Sequence, residues 1–175
     1  MAGGLVLDLS RARAVVEVGE GFVTAEAGTP KVTLERAAHA SGQQLWMYPS
    51  TAQSSLGGFL AGGSGGTGSI AHGTNDAGFV RALDVVHATG SAELVHVEGD
   101  AAQAFVHNYG TAGIIARATV ALEPLQAWRG LYASFTDFTG ALSVLRELGA
   151  LRPVPRLVSA DTPQITAALQ AGAER

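Results

Sequence analysis

From Ala37 to Asn75 the chain runs 39 residues without an Asp, Glu, Lys or Arg. Inside that run sit Gly57, Gly58, Gly62, Gly63, Gly65, Gly66, Gly68 and Gly73. A stretch so poor in charge and so rich in small residues offers a ligand mostly backbone N–H groups and close approach. That is one way to hold a diphosphate without a cationic side chain, because glycine lets the main chain bend and come near. A flexible Gly/Ser linker is the competing reading. Leu45, Trp46, Met47, Phe59, Leu60 and Ile70 interleave the run, which favours a packed binding loop.

Other chemistries are weighed by context. Gly63-Ser64-Gly65-Gly66-Thr67-Gly68 matches G-x-G-x-x-G, and Asp84 follows at roughly the spacing of a dinucleotide fingerprint. No clear strand precedes the glycines and no amphipathic helix follows, so the context that gives the motif meaning is absent. A P-loop is excluded because no Gly-Lys-Ser/Thr follows. The five histidines, His39, His72, His87, His96 and His107, show no helical metal pair, and no metal site is expected. His87 and His96 are placed to face each other across a hairpin. His72 abuts Gly73 and reads either as a polar loop residue or as a contact to a bound cofactor. No serine elbow occurs, and without cysteine neither disulfides nor thiolate chemistry is available.

The elements that must position these residues alternate between strand and helix. Leu5 to Leu9 alternates, Ala14, Val16 and Val18 share a face, and Phe22 to Ala27 alternates after a turn at 19–21. Thr29-Pro30 reads as N-cap and first helical residue, with Leu34, Ala37, Ala38 and Ser41 as the helix face and Gly42 as its stop. Gln44 to Tyr48 suits a short strand, and Ser54 or Ser55 caps a brief helix through Leu60. Phe79 to Ala88 and Ala92 to Val97 flank Thr89-Gly90-Ser91, a hairpin signal. Asp100 caps a helix with Ala101, Ala104 and Phe105 inward. Ile114, Ala116, Ala118, Val120 and Leu122 form the apolar face of a half-buried strand. Beyond Pro124, a strand (130–135), a helix begun near Asp137 with Phe138, Ala141, Leu142, Leu145 and Leu148 on one face, an extended piece (154–158) and a helix from Thr162-Pro163 make a β-α-β-α pattern.

Composition bounds the partners. Hydrophobic residues make up 47% and charged residues 15%, which describes a folded chain. Such low charge predicts that another subunit, or further parts of a larger protein, cover some of the surface. A formal charge of −4 without basic clusters argues against nucleic acid. The start lacks a basic, apolar leader, and no run reaches 18 apolar residues, so the expectation is a soluble, cytoplasmic protein without membrane insertion.

The order of motifs is more specific than any one of them. Leu7-Asp8-Leu9-Ser10-Arg11 followed by Val23-Thr24-Ala25-Glu26-Ala27-Gly28 resembles the "LDLSR … VTVEAG" opening of FAD-linked oxidases of the vanillyl-alcohol oxidase and p-cresol methylhydroxylase (PCMH) type. Pro49-Ser50 and Ser55-Leu56-Gly57-Gly58 resemble the family's "P…TIGG" flavin loop. Gly65-Gly66 and His72-Gly73 stand where members carry "AGG" and "YG", and residues 109–115 are similar to "GTLGII" with Ala112 in place of Leu. The nearest in flavour are glycolate oxidase flavoprotein subunits and D-lactate dehydrogenases.

The resemblance implies an α+β fold: the second subdomain of a PCMH-type FAD-binding fold over residues 1–125, an antiparallel-rich sheet flanked by helices, then the start of an α/β substrate domain over 126–175. It implies non-covalent FAD contacted by Pro49, Ser50, Ser55, Leu56, Gly57, Gly58, Gly65, Gly66, His72, Gly73, Gly113 and Ile114. It also implies a flavin-dependent oxidoreductase of 2-hydroxy acids such as glycolate or D-lactate, with hydride passing to flavin N5. No catalytic base is identified. The family's Gly-rich first subdomain normally precedes the "LDLSR" strand, and the expectation is a chain that lacks it. Gly62-Gly63 replaces the usual Thr-Asn, and Gly68 stands near the common Arg. Half a clamp predicts weak FAD retention, no turnover by the isolated chain, and an uncovered apolar face that favours a homo-oligomer. The competing expectation is a non-catalytic remnant or accessory subunit that keeps the scaffold without FAD.

Overall fold

Strands β1 (Val15–Gly19) and β2 (Phe22–Glu26) pair antiparallel through the turn at Gly21. On β2 the alternation is obeyed: Val23 and Ala25 are fully buried, while Thr24 and Glu26 lie on the other face. On β1 it is not. A bulge between Val15 and Glu17 inserts one residue, so Val15 and Val18 pack on the core and Val16 is left 50% exposed, contrary to the predicted Ala14–Val16–Val18 face. Residues 6–9, read as strand, pair with no strand among the described residues, and Leu5 lies outside them. The computed structural model describes residues 3–4, 6–63, 65–89, 92–165 and 167. The chain divides into two units, Met1–Ala127 and Trp128–Arg175.

Helix α1 (Lys31–Ala40) follows, with Leu34 and Ala38 inward and its end at Ser41-Gly42 as predicted. Its N-cap is Pro30, not Thr29; the buried Thr29 instead donates through Oγ1 to the Ala14 carbonyl at 3.3 Å. Strand β3 (Gln43–Leu45) leads to two short helices, α2 (Leu56–Gly62) and α3 (Ser69–His72). Then come β4 (Val80–His87), β5 (Leu94–Glu98), α4 (Asp100–Gln103) and the long β6 (Gly113–Pro124). The sheet order is β1-β2-β6-β4-β5, with β3 paired to the far end of β6, and every pairing is antiparallel. β4 and β5 sit where the hairpin signal put them; Gly90 and Ser91 of its turn lie outside the described residues.

β6 holds this unit together because it touches three neighbours, and its register shows why simple alternation fails there. Asp84 pairs with Arg117 but Val85 pairs with Ile115, so Ala116 is extra. The slip turns Ile115 into the core and leaves Ile114 41% exposed, reversing the expectation at that end. α4 is similarly rotated. Ala102, Phe105 and Val106 are buried, whereas Ala101 and Ala104 are exposed, and Gly99 rather than Asp100 is the cap.

The α+β architecture is therefore as expected: an antiparallel sheet flanked by helices. In the second unit α5 (Phe138–Gly149) starts where predicted, with the Asp137 carboxylate accepting from the Gly140 amide at 2.8 Å. The two predicted strands of that region are corrected. Residues 130–135 and 154–158 form no ladder among the described residues, and an extended segment without a partner leaves its backbone groups to water. Helix begins at Pro163 as the Thr162-Pro163 signal says; residues 168–175 lie outside the described residues.

Candidate functional site

The uncharged run folds into a loop closed at its neck. Tyr48 and Thr67 form an antiparallel bridge, Tyr48 N donating to Thr67 O at 3.0 Å and Thr67 N to Tyr48 O at 2.8 Å. A second bridge joins Ser55 to Pro30, with Leu56 N donating to Thr29 O at 2.9 Å and Lys31 N to Ser54 O at 3.1 Å. Within and beside these ties the run is part of the core: Leu45 and Met47 before the neck, and Leu56 and Leu60 inside it, are fully buried. The linker reading is thereby excluded.

The glycines of the run fall into two classes. At Gly57, Gly66 and Gly68 the protein itself fills the space a side chain would need. An added Cβ would lie 2.7 Å from Ala27 Cβ, 2.4 Å from Tyr48 O and 1.9 Å from Trp46 O respectively, and Gly68 also holds φ at 101°. Gly58 and Gly62 are different. A Cβ at Gly58 would meet only Ser55 Oγ, at 3.0 Å, and at Gly62 it would meet nothing within 4 Å. These two positions, one helical turn apart, give α2 an outer face of Gly58, Ala61 and Gly62 with almost no side chain on it. Its inner face is Leu56, Gly57, Phe59 and Leu60.

Ser55 caps α2, its Oγ accepting from Gly58 N at 3.3 Å. The other amides of the first turn are also engaged: Leu56 N with Thr29 O, Gly57 N with Ala27 O at 2.7 Å, and Phe59 N with Ser55 O at 3.0 Å. The amides at this helix start are therefore used within the fold rather than left open as donors.

The far end of α2 is received by residues 107–109. His107 N donates to Leu60 O at 3.0 Å, Tyr109 N donates to Ala61 O at 2.9 Å, and the buried Asn75 reaches Phe59 O through Nδ2 at 3.2 Å. His107 and Tyr109 hold φ values of 57° and 55°, uncommon for side chains of that size, and Tyr109 is 78% exposed. The structure thus brings the 55–62 segment and the 107–114 segment together by direct backbone bonds.

The expected contacts sort by access. Ser50, Gly58, Gly73 and Ile114 are exposed, and Ser55, Gly65, Gly66 and His72 are half-buried. Pro49, Leu56, Gly57 and Gly113 are buried. The Leu56 side chain is wholly in the core and presents no surface to a flat ring, a correction to its expected role. Gly113 is glycine because a Cβ would press on Val86 O at 2.6 Å. His72 stacks on Trp46 with ring centroids 4.4 Å apart and pairs through Nε2 with Glu123 Oε2 at 2.9 Å, which pins α3 to β6. His87 and His96 do not face each other. His96 lies opposite Asp84 in the β4–β5 register, and His87 packs its ring edge-on against Phe105. Lys31, Asn75, His107 and Tyr109, which hold or flank α2, are not among the contacts expected from the sequence. Only the run His107-Asn108-Tyr109-Gly110, bulky residues beside a turn-forming Asn and Gly, carried any local signal.

A search among curated proteins gave no match. A protein-family comparison did: the model described as an FAD binding domain matches residues 1–96, which span β1 through most of β5 and contain the whole uncharged loop. With more than half of its length matched, the chain belongs to the FAD binding domain family and is an FAD-binding domain of flavin-dependent oxidoreductases.

Proposed function

We propose that this chain supplies the second FAD-binding subdomain of an oxidoreductase acting on 2-hydroxy acids such as glycolate or D-lactate. The observation that carries the reading is the bare face of α2. Gly58 and Gly62 leave backbone open to close approach, and the loop that holds them is packed and closed at both ends. A flat ring system fits such a face, and the exposed Ile114 and Tyr109 stand on the segment hydrogen-bonded to the same helix. Bound FAD supplies a hydride acceptor to this chemistry. The chain's own residues bind and orient: Ser55 fixes the start of α2, Asn75 and the 107–109 turn fix its end, and His72 and Trp46 lock the neighbouring helix to the sheet. Ser50, Gly65, Gly66, Gly73 and Ile114 are the remaining contacts in this reading. The partners it implies are a small 2-hydroxy acid and, through the uncovered apolar surface, a second copy of the chain.

A scaffold that binds no FAD is favoured by one observation, the complete internal use of the first-turn amides of α2. Fluorescence titration of FAD separates the two readings. The flavin reading expects saturable binding by the full chain and its loss in Gly58→Val, with an unchanged circular dichroism spectrum. Equal affinity of the two proteins for FAD would overturn it.

A further inference from the structure

Lys31 is the first residue of α1, and its side chain is fully buried. Among the described residues no carboxylate pairs with it. Each of these circumstances costs stability. Burial strips the ammonium of water, and the start of a helix is the unfavourable end of the dipole for a cation. Burial alone pushes its pKa down to about 7. A methylene chain ending in an apolar group would fill the same volume without these costs, so what the ammonium touches matters.

It touches α2 twice. Nζ donates to Ser55 O at 3.4 Å and lies 4.0 Å from the centroid of the Phe59 ring. Ser55 and Phe59 stand one turn apart, and Phe59 N donates to the same Ser55 carbonyl. The ammonium therefore clasps the first turn of α2 from inside, while the outer side of that turn carries Gly58. The run is uncharged in sequence, yet an amine from outside it, protonated below about pH 7, sits beneath the turn that carries Gly58.

We propose that Lys31 is a positioning residue of the cofactor site, its buried ammonium fixing the first turn of α2 and with it the bare Gly58 face. The assignment rests on the reading of that face as the flavin surface. Its consequence is a pair of effects of opposite sign. Replacing the ammonium by an apolar group of similar length removes a buried unpaired charge and favours folding. The same replacement releases the first turn and weakens the ligand. A purely structural role would move stability and affinity in one direction.

The test uses Lys31→Met in the full chain at about pH 6, where an ammonium titrating near neutrality stays protonated. Urea unfolding, amide hydrogen exchange and FAD titration are read together. The Met variant is expected to unfold at equal or higher urea, to exchange the Gly58 and Phe59 amides about fivefold faster or more, and to bind FAD about fivefold more weakly. Phe59→Leu should speed the same amides, and the double variant should exchange no faster than the faster single one. Unchanged exchange at Gly58 and Phe59 in Lys31→Met would overturn the proposal. So would faster exchange with undiminished FAD affinity. Failure of both proteins to bind FAD would sink the flavin reading instead, and exchange alone would then decide whether Lys31 fixes the turn.

Discussion

The sheet-centred first unit and the tail from Trp128 onward both display helical and strand-like apolar patterns, yet only one of them closes a core. In the first, Val23, Leu34, Leu45, Met47, Leu60, Leu83 and Val120 reach zero exposure, because β6 gathers β2, β3 and β4 and the helices cover one face of the result. In the second, no described residue is buried. Phe138, Leu142 and Leu148 remain 56%, 42% and 36% exposed although they lie on one stripe of a well-capped helix. Periodicity specifies a face, and only a partner turns that face into stability.

The largest effect that would sharpen this contrast comes from the first unit. In Gly68→Ala a Cβ would stand 1.9 Å from the Trp46 carbonyl oxygen at a φ of 101°, so either the Tyr48–Thr67 neck or the backbone at 68 must give way. The expected loss is about 3 kcal/mol or more in urea unfolding, the range of strained-backbone and core failures. A shift below about 1 kcal/mol would mean that the loop is not integral to the core.

Next in size is Leu142→Ser on α5. Leu142 is 42% exposed on a face that nothing in its own unit buries, so the change should stay within about 0.5 kcal/mol by the same measurement. A loss comparable with that of Gly68→Ala would break the comparison and show that the α5 face is covered in solution, as association of the chain would require.

Legibility in the sequence followed the same division. The antiparallel sheet followed from the family resemblance, and α1, α5, the β4–β5 hairpin and a serine cap at 54 or 55 were readable because caps, turns and periodicity are local signals. The register slips were not. Nothing near Val16 or Ala116 announces an extra residue, since a bulge is fixed by the partner strand, and each one turned a predicted face over. The candidate site was half legible. Glycine positions were visible, but which glycines serve packing and which face open space depends on Ala27, Tyr48 and Trp46, up to 30 residues away. Lys31 carries no local signal because its role is spatial: it precedes the run and meets it only through the fold. The strands expected at 130–135 and 154–158 failed for the opposite reason, a local pattern with no pairing neighbour among the described residues.

The smallest expected effect lies on the polar face of the sheet, where polar contacts replace packing. His96 pairs through Nδ1 with Asp84 at 2.6 Å and through Nε2 with Glu98 at 3.0 Å, while Arg117 reaches the other Asp84 oxygen at 3.4 Å. The hydrogen bond to Asp84, then that to Glu98, raises the His96 pKa above 6.5. Because the folded-state pKa is raised, the folded protein holds the proton more tightly than the unfolded chain. The stabilisation is complete below the unfolded value and disappears as pH rises through the folded one. Its size is limited because the His96 side chain is 57% exposed and water screens the pair. Thermal unfolding of the native chain and of His96→Gln should therefore differ slightly at mildly acidic pH and coincide in alkaline buffer. A difference that persisted or grew with rising pH would show that the ring contributes by packing, and would move this face from the weakly coupled part of the first unit into its core.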